Sequence, residues 1–135
     1  MGDLGVEGMN IFKEEYGSVM VEFALVSMFL VLLLAGIIQF GLVFNTFLVL
    51  EDAARNAART AAIATLSDDQ IKSNIINSTT PIVLDFSNIQ IEPAIRTRGQ
   101  MLTVTINYQY QIPVTFGILP ESYSLTARAS MLSEI

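Results

Sequence analysis

Residues Phe23 to Leu50 form a run of 28 residues without a formally charged side chain, bounded by Glu22 and Glu51. About 20 apolar residues are enough for a helix to cross a hydrocarbon layer of roughly 30 Å. A predominantly apolar stretch of 18 or more residues without charges is typical of a membrane-spanning helix. The run therefore predicts a membrane-spanning helix at about residues 23–50.

The composition argues against several classes of function. The chain of 135 residues has no cysteine and no histidine, so it lacks thiolate metal ligands and the commonest general base. Its formal net charge is −6 and its seven basic residues are scattered, which argues against a nucleic-acid partner. The sequence also lacks a serine elbow and a glycine-rich phosphate loop. We therefore expect that the protein is not an enzyme and that it has no catalytic residue, no cofactor and no small-molecule substrate.

Asp68 and Asp69 are adjacent acids that could suggest a calcium site. No EF-hand spacing follows them, and the segment from Ser67 to Gln70 matches a helix capping box with acids in the first turn. We therefore expect no metal site here. The pattern instead predicts a short helix that starts at Ser67 and ends at about Asn77.

The N-terminal half of the chain predicts one long helix. Helix-favouring alanine and arginine continue the pattern beyond the apolar run, and no proline occurs before Pro81. We predict a helix over residues 18–66, with residues 1–17 as a disordered or loosely structured leader. The remaining residues, 67–135, are predicted to form a small C-terminal α+β domain.

After Pro81 the apolar residues recur at every second position, as is typical of half-buried strands. Residues 102–112 alternate strictly, and similar alternation at 87–96 and 123–131 predicts two further strands. A turn is predicted at Arg98-Gly99-Gln100. The fold class predicted is therefore α+β, with a long N-terminal hydrophobic transmembrane helix, a short helix and a small three-stranded antiparallel sheet.

Alanines at every fourth position, Ala54, Ala58 and Ala62, give the end of the long helix a nearly flat face. Small residues let another backbone approach closely. We expect this face to pack against the C-terminal sheet; packing against a neighbouring subunit and simple helix propensity are the alternatives. The spacing of Glu51 and Arg55 supports the helix on a different, solvated face.

Gln39 is a polar residue inside the predicted span. Membrane helices use such groups to hydrogen-bond to one another, with an average gain of about 0.6 kcal/mol. Gln39 is therefore a candidate contact between subunits, and a solvated or self-satisfied amide is the alternative. Gly36 and Gly41 are five residues apart, not four, so they do not form a GxxxG dimer motif.

Glu22 is a carboxylate at the entrance of the apolar run, and Gly17 lies five residues before it. An ionised group at the edge of a membrane helix either reaches the interface or is paired.

Three segments together resemble the TadE-like pilins of tight-adherence pilus systems: Gly17-Ser-Val-Met-Val-Glu-Phe-Ala-Leu-Val26, Ala35-Gly-Ile-Ile-Gln-Phe-Gly41 and Ala53-Ala-Arg-Asn-Ala-Ala-Arg59. The ending from Leu125 to Glu134 is similar to the final strand of that family. The resemblance implies cleavage between Gly17 and Ser18 by a prepilin peptidase on the cytoplasmic side. Glu22 and Phe23 complete the implied processing site. The implied cut leaves an ammonium group on Ser18, which can pair with Glu22 of the same or a neighbouring subunit.

The resemblance also implies a pilin-like structural subunit, either a minor pilin or a pseudopilin. Such a subunit assembles through its N-terminal helix with other pilin subunits, in a homo- or hetero-oligomeric filament that can serve adhesion. It starts as a single-pass precursor in the cytoplasmic membrane, with the C-terminal domain extracytoplasmic, and reaches the cell surface on assembly. The alternative is a single-pass membrane-anchored interaction protein with a small extracytoplasmic β domain that never enters a filament.

Two charge features depart from this pattern. The leader is net acidic, whereas pilin leaders usually carry more basic residues. Lys13 precedes the span while Arg55 and Arg59 follow it, so the positive-inside rule taken alone favours the opposite orientation.

Overall fold

The computed structural model describes the backbone of residues 6–112 and 122–134, and side chains from Tyr16 onward. In chain order the elements are helix α1 (Val6–Ile63), helix α2 (Asp68–Ser78), a 3-10 turn (Phe86–Asn88), and strands β1 (Ile89–Glu92), β2 (Met101–Gln111) and β3 (Ser122–Leu132). The layout confirms the predicted α+β fold. The chain divides into two compact units, Met1–Phe40 and Gly41–Ile135.

Helix α1 begins at Val6, well before the predicted start at Ser18. The interpretation of residues 6–17 as loosely structured is therefore wrong, and residues 1–5 lie outside the described part. A lone glycine in a helix costs only about 1 kcal/mol relative to alanine. Because no proline interrupts this stretch, Gly17 does not end the helix. The helix ends at Ile63, close to the predicted residue 66.

Helix α2 begins with the capping box that the sequence predicts. The Ser67 hydroxyl accepts a hydrogen bond from the backbone N–H of Gln70, whose side-chain oxygen accepts one from the Ser67 N–H at 3.1 Å. Asp68 and Asp69 occupy the first turn, where their negative charges interact favourably with the positive end of the helix dipole. At the other end, the buried Thr79 hydroxyl donates to the Ile75 carbonyl at 3.0 Å.

The sheet is antiparallel with the strand order β1-β2-β3. In the register, Val104 lies between Ile91 of β1 and Ala129 of β3. Strand β1 is shorter than predicted, since the 3-10 turn occupies residues 86–88 and Pro93 follows its last residue. Proline has no N–H to donate to the ladder.

The turn predicted before β2 is present. The Gln100 N–H donates to the Thr97 carbonyl at 3.1 Å, and Gly99 adopts a φ of 84°. A positive φ at this position of a turn favours glycine because it has no Cβ. The connection between β2 and β3, residues 113–121, lies outside the described part.

One buried cluster joins α1, α2 and one face of the sheet. It contains Leu50, Ala53, Ala54, Ala57, Ala58, Ala61, Ile71, Ile75, Leu84, Ile89, Ile91, Leu102, Val104, Ile106 and Ala127. The opposite sheet face is polar, with hydroxyl contacts such as that between Thr103 and Ser130 at 2.9 Å. The alanines therefore form the helical side of the core of the second unit.

We expect Ala54→Leu to lower the free energy of unfolding by about 1–3 kcal/mol, because Ala54 is fully buried and a larger side chain overpacks the core. Thermal unfolding of the full chain in detergent, followed by circular dichroism, measures the change. Ala24→Leu is the matched control, since Ala24 is exposed on the same helix. Equal stability of the two variants would contradict this description of the core.

Candidate processing and assembly site

The predicted processing residues, from Gly17 to Phe23, lie on a continuous and exposed stretch of α1. Gly17 is exposed, and a Cβ built on it would meet no atom within 4 Å. Packing therefore does not require glycine at this position. A glycine in a helix interior instead lowers the cost of opening the helix locally.

Glu22 and Ser18 are four residues apart, so they share one face of α1. The side chain of Glu22 is exposed. Within the part of the chain whose side chains are described, the ion pairs are Arg55–Glu51 and Arg96–Asp68, so Glu22 has no cationic partner there. A cationic group at Ser18 would lie one helical turn from the carboxylate.

The apolar surface that follows Glu22 is uncovered. Every Val, Leu, Ile, Met and Phe between Val19 and Phe40 is exposed, with Phe23 at 73% and Phe40 at 80%. In the described residues, α1 is the one helix that is long and apolar enough to cross a membrane. A surface of this extent has to be covered by lipid or by other apolar helices.

Two hydroxyl groups within the apolar stretch donate hydrogen bonds to backbone carbonyls of the same helix. The Ser27 hydroxyl donates to the Ala24 carbonyl at 2.9 Å, and the Thr46 hydroxyl donates to the Leu42 carbonyl at 3.0 Å. Such bonds remove the cost of placing a donor in lipid. Gln39 is half-buried, and its predicted role as a subunit contact stays a prediction.

The alanine face predicted for assembly or packing lies inside the second unit. Ala54, Ala58 and Ala62 are at most 2% exposed, and the first two share the buried cluster with the sheet. Leu50 is also fully buried in that cluster, whereas Leu48 is 45% exposed. Leu50, at the predicted end of the membrane span, is thus covered by protein.

A contact that has no local signal in the sequence ties the segment between β1 and β2 to the connection between α1 and α2 and to the first turn of α2. Arg96 donates one hydrogen bond to the Leu66 carbonyl at 2.8 Å and another to the Asp68 carboxylate. Only 11% of the Arg96 side chain is exposed. The partners are about 30 residues apart, so no local pattern marks the contact, although Asp68 was already recognised as a first-turn acid.

Other candidate sites in the described residues are small. A groove of about 140 Å³ lies between α1 and α2, with Ala57 and Ile75 in its lining and Asn56 and Asn74 at its polar positions. Among the described residues, no three acidic side chains lie close enough together to hold a metal ion.

A membrane-length apolar helix that carries a small α+β unit defines a class of membrane-anchored proteins. Within that class, residues 17–59 match the model of the family described as TadE-like protein. The match confirms the resemblance seen in the sequence, and it supports association with a tight-adherence pilus system. No curated protein and no solved structure matches the chain at a significant level.

We expect Arg96→Ala to lower the free energy of unfolding by about 1.5–3 kcal/mol, because it removes two hydrogen bonds of a nearly buried cation. Chemical denaturation of the full chain in detergent measures the loss. Arg98→Ala, at an exposed turn residue nearby, should change stability by less than about 0.5 kcal/mol. Similar effects of the two changes would refute the role given to Arg96.

Proposed function

We propose that this protein is a pilin-like structural subunit of a tight-adherence pilus. A prepilin peptidase cleaves it after Gly17, and its N-terminal helix then assembles with those of other pilin subunits. The observation that carries the proposal is the match of residues 17–59 to the TadE-like family, which includes Gly17, Glu22 and the exposed apolar surface.

The chemistry of the cut supports a role for Glu22. Before cleavage, the backbone N–H groups of residues 18–21 lie in the interior of α1, where helical bonds satisfy them. After cleavage, the amide nitrogen of Ser18 becomes a terminal ammonium group, and the N–H groups of residues 19–21 lose their helical acceptors and lie at a new helix start. Both changes place positive charge one turn from the Glu22 carboxylate. A negatively charged side chain near a helix N-terminus stabilises the helix. A charged group that is buried when helices pack together needs a partner of opposite charge.

The exposed apolar surface supports two successive environments for the same helix. In the membrane, lipid covers the surface between Val19 and Phe40. In a filament, the corresponding surfaces of other subunits cover it. Neither environment requires a change in the second unit, since the alanine face of α1 is already buried there.

The C-terminal domain is placed outside the cytoplasm in this proposal. Arg55 and Arg59 lie within the 15–20 residues after the span in which the positive-inside rule counts basic residues, so charge alone favours the opposite orientation. The proposed orientation therefore depends on the TadE-like match, which includes the residues of the processing site.

We expect Gly17→Ala to slow conversion of precursor to mature protein by about fivefold. Alanine stabilises the helix by about 1 kcal/mol, so local opening at the cut becomes rarer. Pulse-chase labelling in the host, with gel separation of precursor and mature chain, measures the rate. Gly36→Ala is the matched control, because a Cβ there also meets nothing within 4 Å. An unchanged rate for Gly17→Ala would argue against this account of the cut.

We expect Glu22→Gln to leave processing intact and to reduce recovery in sheared surface filaments at least about tenfold. The neutral amide leaves the Ser18 ammonium uncompensated when the helices pack together, and loss of one partner of a buried pair is strongly destabilising. Quantitative immunoblotting of the sheared fraction measures the effect.

Glu15→Gln is the control for the Glu22 variant, since Glu15 leaves with the leader and its loss should not alter filament recovery. If Glu22→Gln were recovered in filaments like the unaltered chain, a Glu22–ammonium pair would not drive assembly. If filaments also lacked the unaltered chain, a single-pass membrane-anchored interaction protein would be the better description.

A further inference from the structure

The sheet ends in two strands that each have one unpaired edge in the described part of the chain. Strand β1 has four residues and strand β3 has eleven, and both pair on one side with β2. Long exposed edges are usually blunted by lysine, proline or a bulge. The sequence of β3 has no lysine, proline or glycine. Among the described residues, nothing pairs with its outer edge, which is therefore open to another strand.

The two edges carry opposite charges on the same face of the sheet. Arg128 is the only charged residue of β3, and Glu92 is the only charged residue of β1. In the register, Arg128 is opposite Thr105 and Glu92 is opposite Thr103, so both lie on the polar face. Both residues are exposed.

Apolar side chains are also exposed along both edges. On β3, Tyr123 and Met131 point to the core face but remain 43% and 42% exposed. Phe86 and Ile95 flank β1 along the chain and are 47% and 80% exposed. A strand added at either edge would bury part of this surface.

We propose that β3 of one copy pairs with β1 of a second copy, so that the sheets of neighbouring subunits join at their edges. This inference rests on the proposed function, because it specifies a contact between assembled subunits. Strands β1 and β3 both run antiparallel to β2, so a repeated sheet brings them together as a parallel pair. When Glu92 is level with Arg128, Ile89 is level with Leu125 and Ile91 is level with Ala127. The apolar faces of the two sheets then lie on the same side.

A contact between two copies of β3 fits the charges less well. Ala127 is the central residue of the strand, so full antiparallel overlap would place Arg128 diagonally across from the same residue of the second copy. Diagonal neighbours on one sheet face are only about 7–8 Å apart. Such a symmetric contact also closes into a dimer, whereas a contact between β1 and β3 leaves a free edge at each end and can repeat.

Disulfide cross-linking of the full chain in its host tests the contact. The double variant Gln90→Cys, Thr126→Cys places thiols on residues that are level in the proposed register, and both side chains are exposed. The unaltered chain has no cysteine. Mild oxidation of sheared filaments should give a ladder of dimers, trimers and larger species with the double variant, and monomers with each single variant. Dimers from Thr126→Cys alone would overturn the proposal in favour of β3 pairing with itself.

Charge reversal provides a second measurement on the same cysteine background. Glu92→Arg or Arg128→Glu alone should reduce the cross-linked fraction about two- to fivefold, as expected for loss of an exposed ion pair. The two reversals together should restore it, and Arg98→Glu should have no effect. Equal cross-linking in all four variants would contradict the assigned register.

The outcomes separate this inference from the proposed function. Filaments that contain the cysteine double variant but give no ladder would overturn the sheet contact and leave the pilus function standing. A ladder in the membrane fraction of cells from which no filament is recovered would support the contact and count against the pilus function.

Discussion

The packing of the alanine face of α1 on the sheet determines which part of the helix the protein can cover by itself. Leu50, Ala54 and Ala58 are buried in one cluster with side chains of all three strands. Before Leu50 the helix carries larger apolar residues, and those between Val19 and Phe40 are all exposed. The same helix is thus a core element along one stretch and an uncovered apolar surface along another. The uncovered stretch has to be covered by lipid or by other apolar helices.

Much of the fold follows from local patterns in the sequence. The capping box at Ser67, the turn at Gly99 and the strict alternation in β2 each depend on neighbouring residues, and each was predicted correctly. Helix α1 begins earlier than predicted because a single glycine is too weak to end it. The contact of Arg96 with Leu66, in the connection between α1 and α2, was missed, since residues 30 positions apart leave no periodic signal.

The candidate site was found for a different reason. Gly17, Glu22 and the uncharged run form an unusual combination, because a carboxylate stands at the start of a long apolar segment. The family match begins at Gly17 and includes Glu22 and the run. Their local structure is simple, because they lie on an exposed stretch of helix. The proposed cut between Gly17 and Ser18 falls within that helix, although the sequence predicted that the helix begins at Ser18. Cleavage would therefore create a new helix start as well as a new charge, and Glu22 is placed to stabilise both.

The proposed pilin function requires Gly17 to be the last residue of a removable leader. Intact-mass analysis of the protein purified from host membranes that contain the prepilin peptidase measures this directly. We expect a mature chain that begins at Ser18 and has 118 residues, which is 135 minus 17. A chain that still begins at Met1 under those conditions would rule out the proposed cleavage.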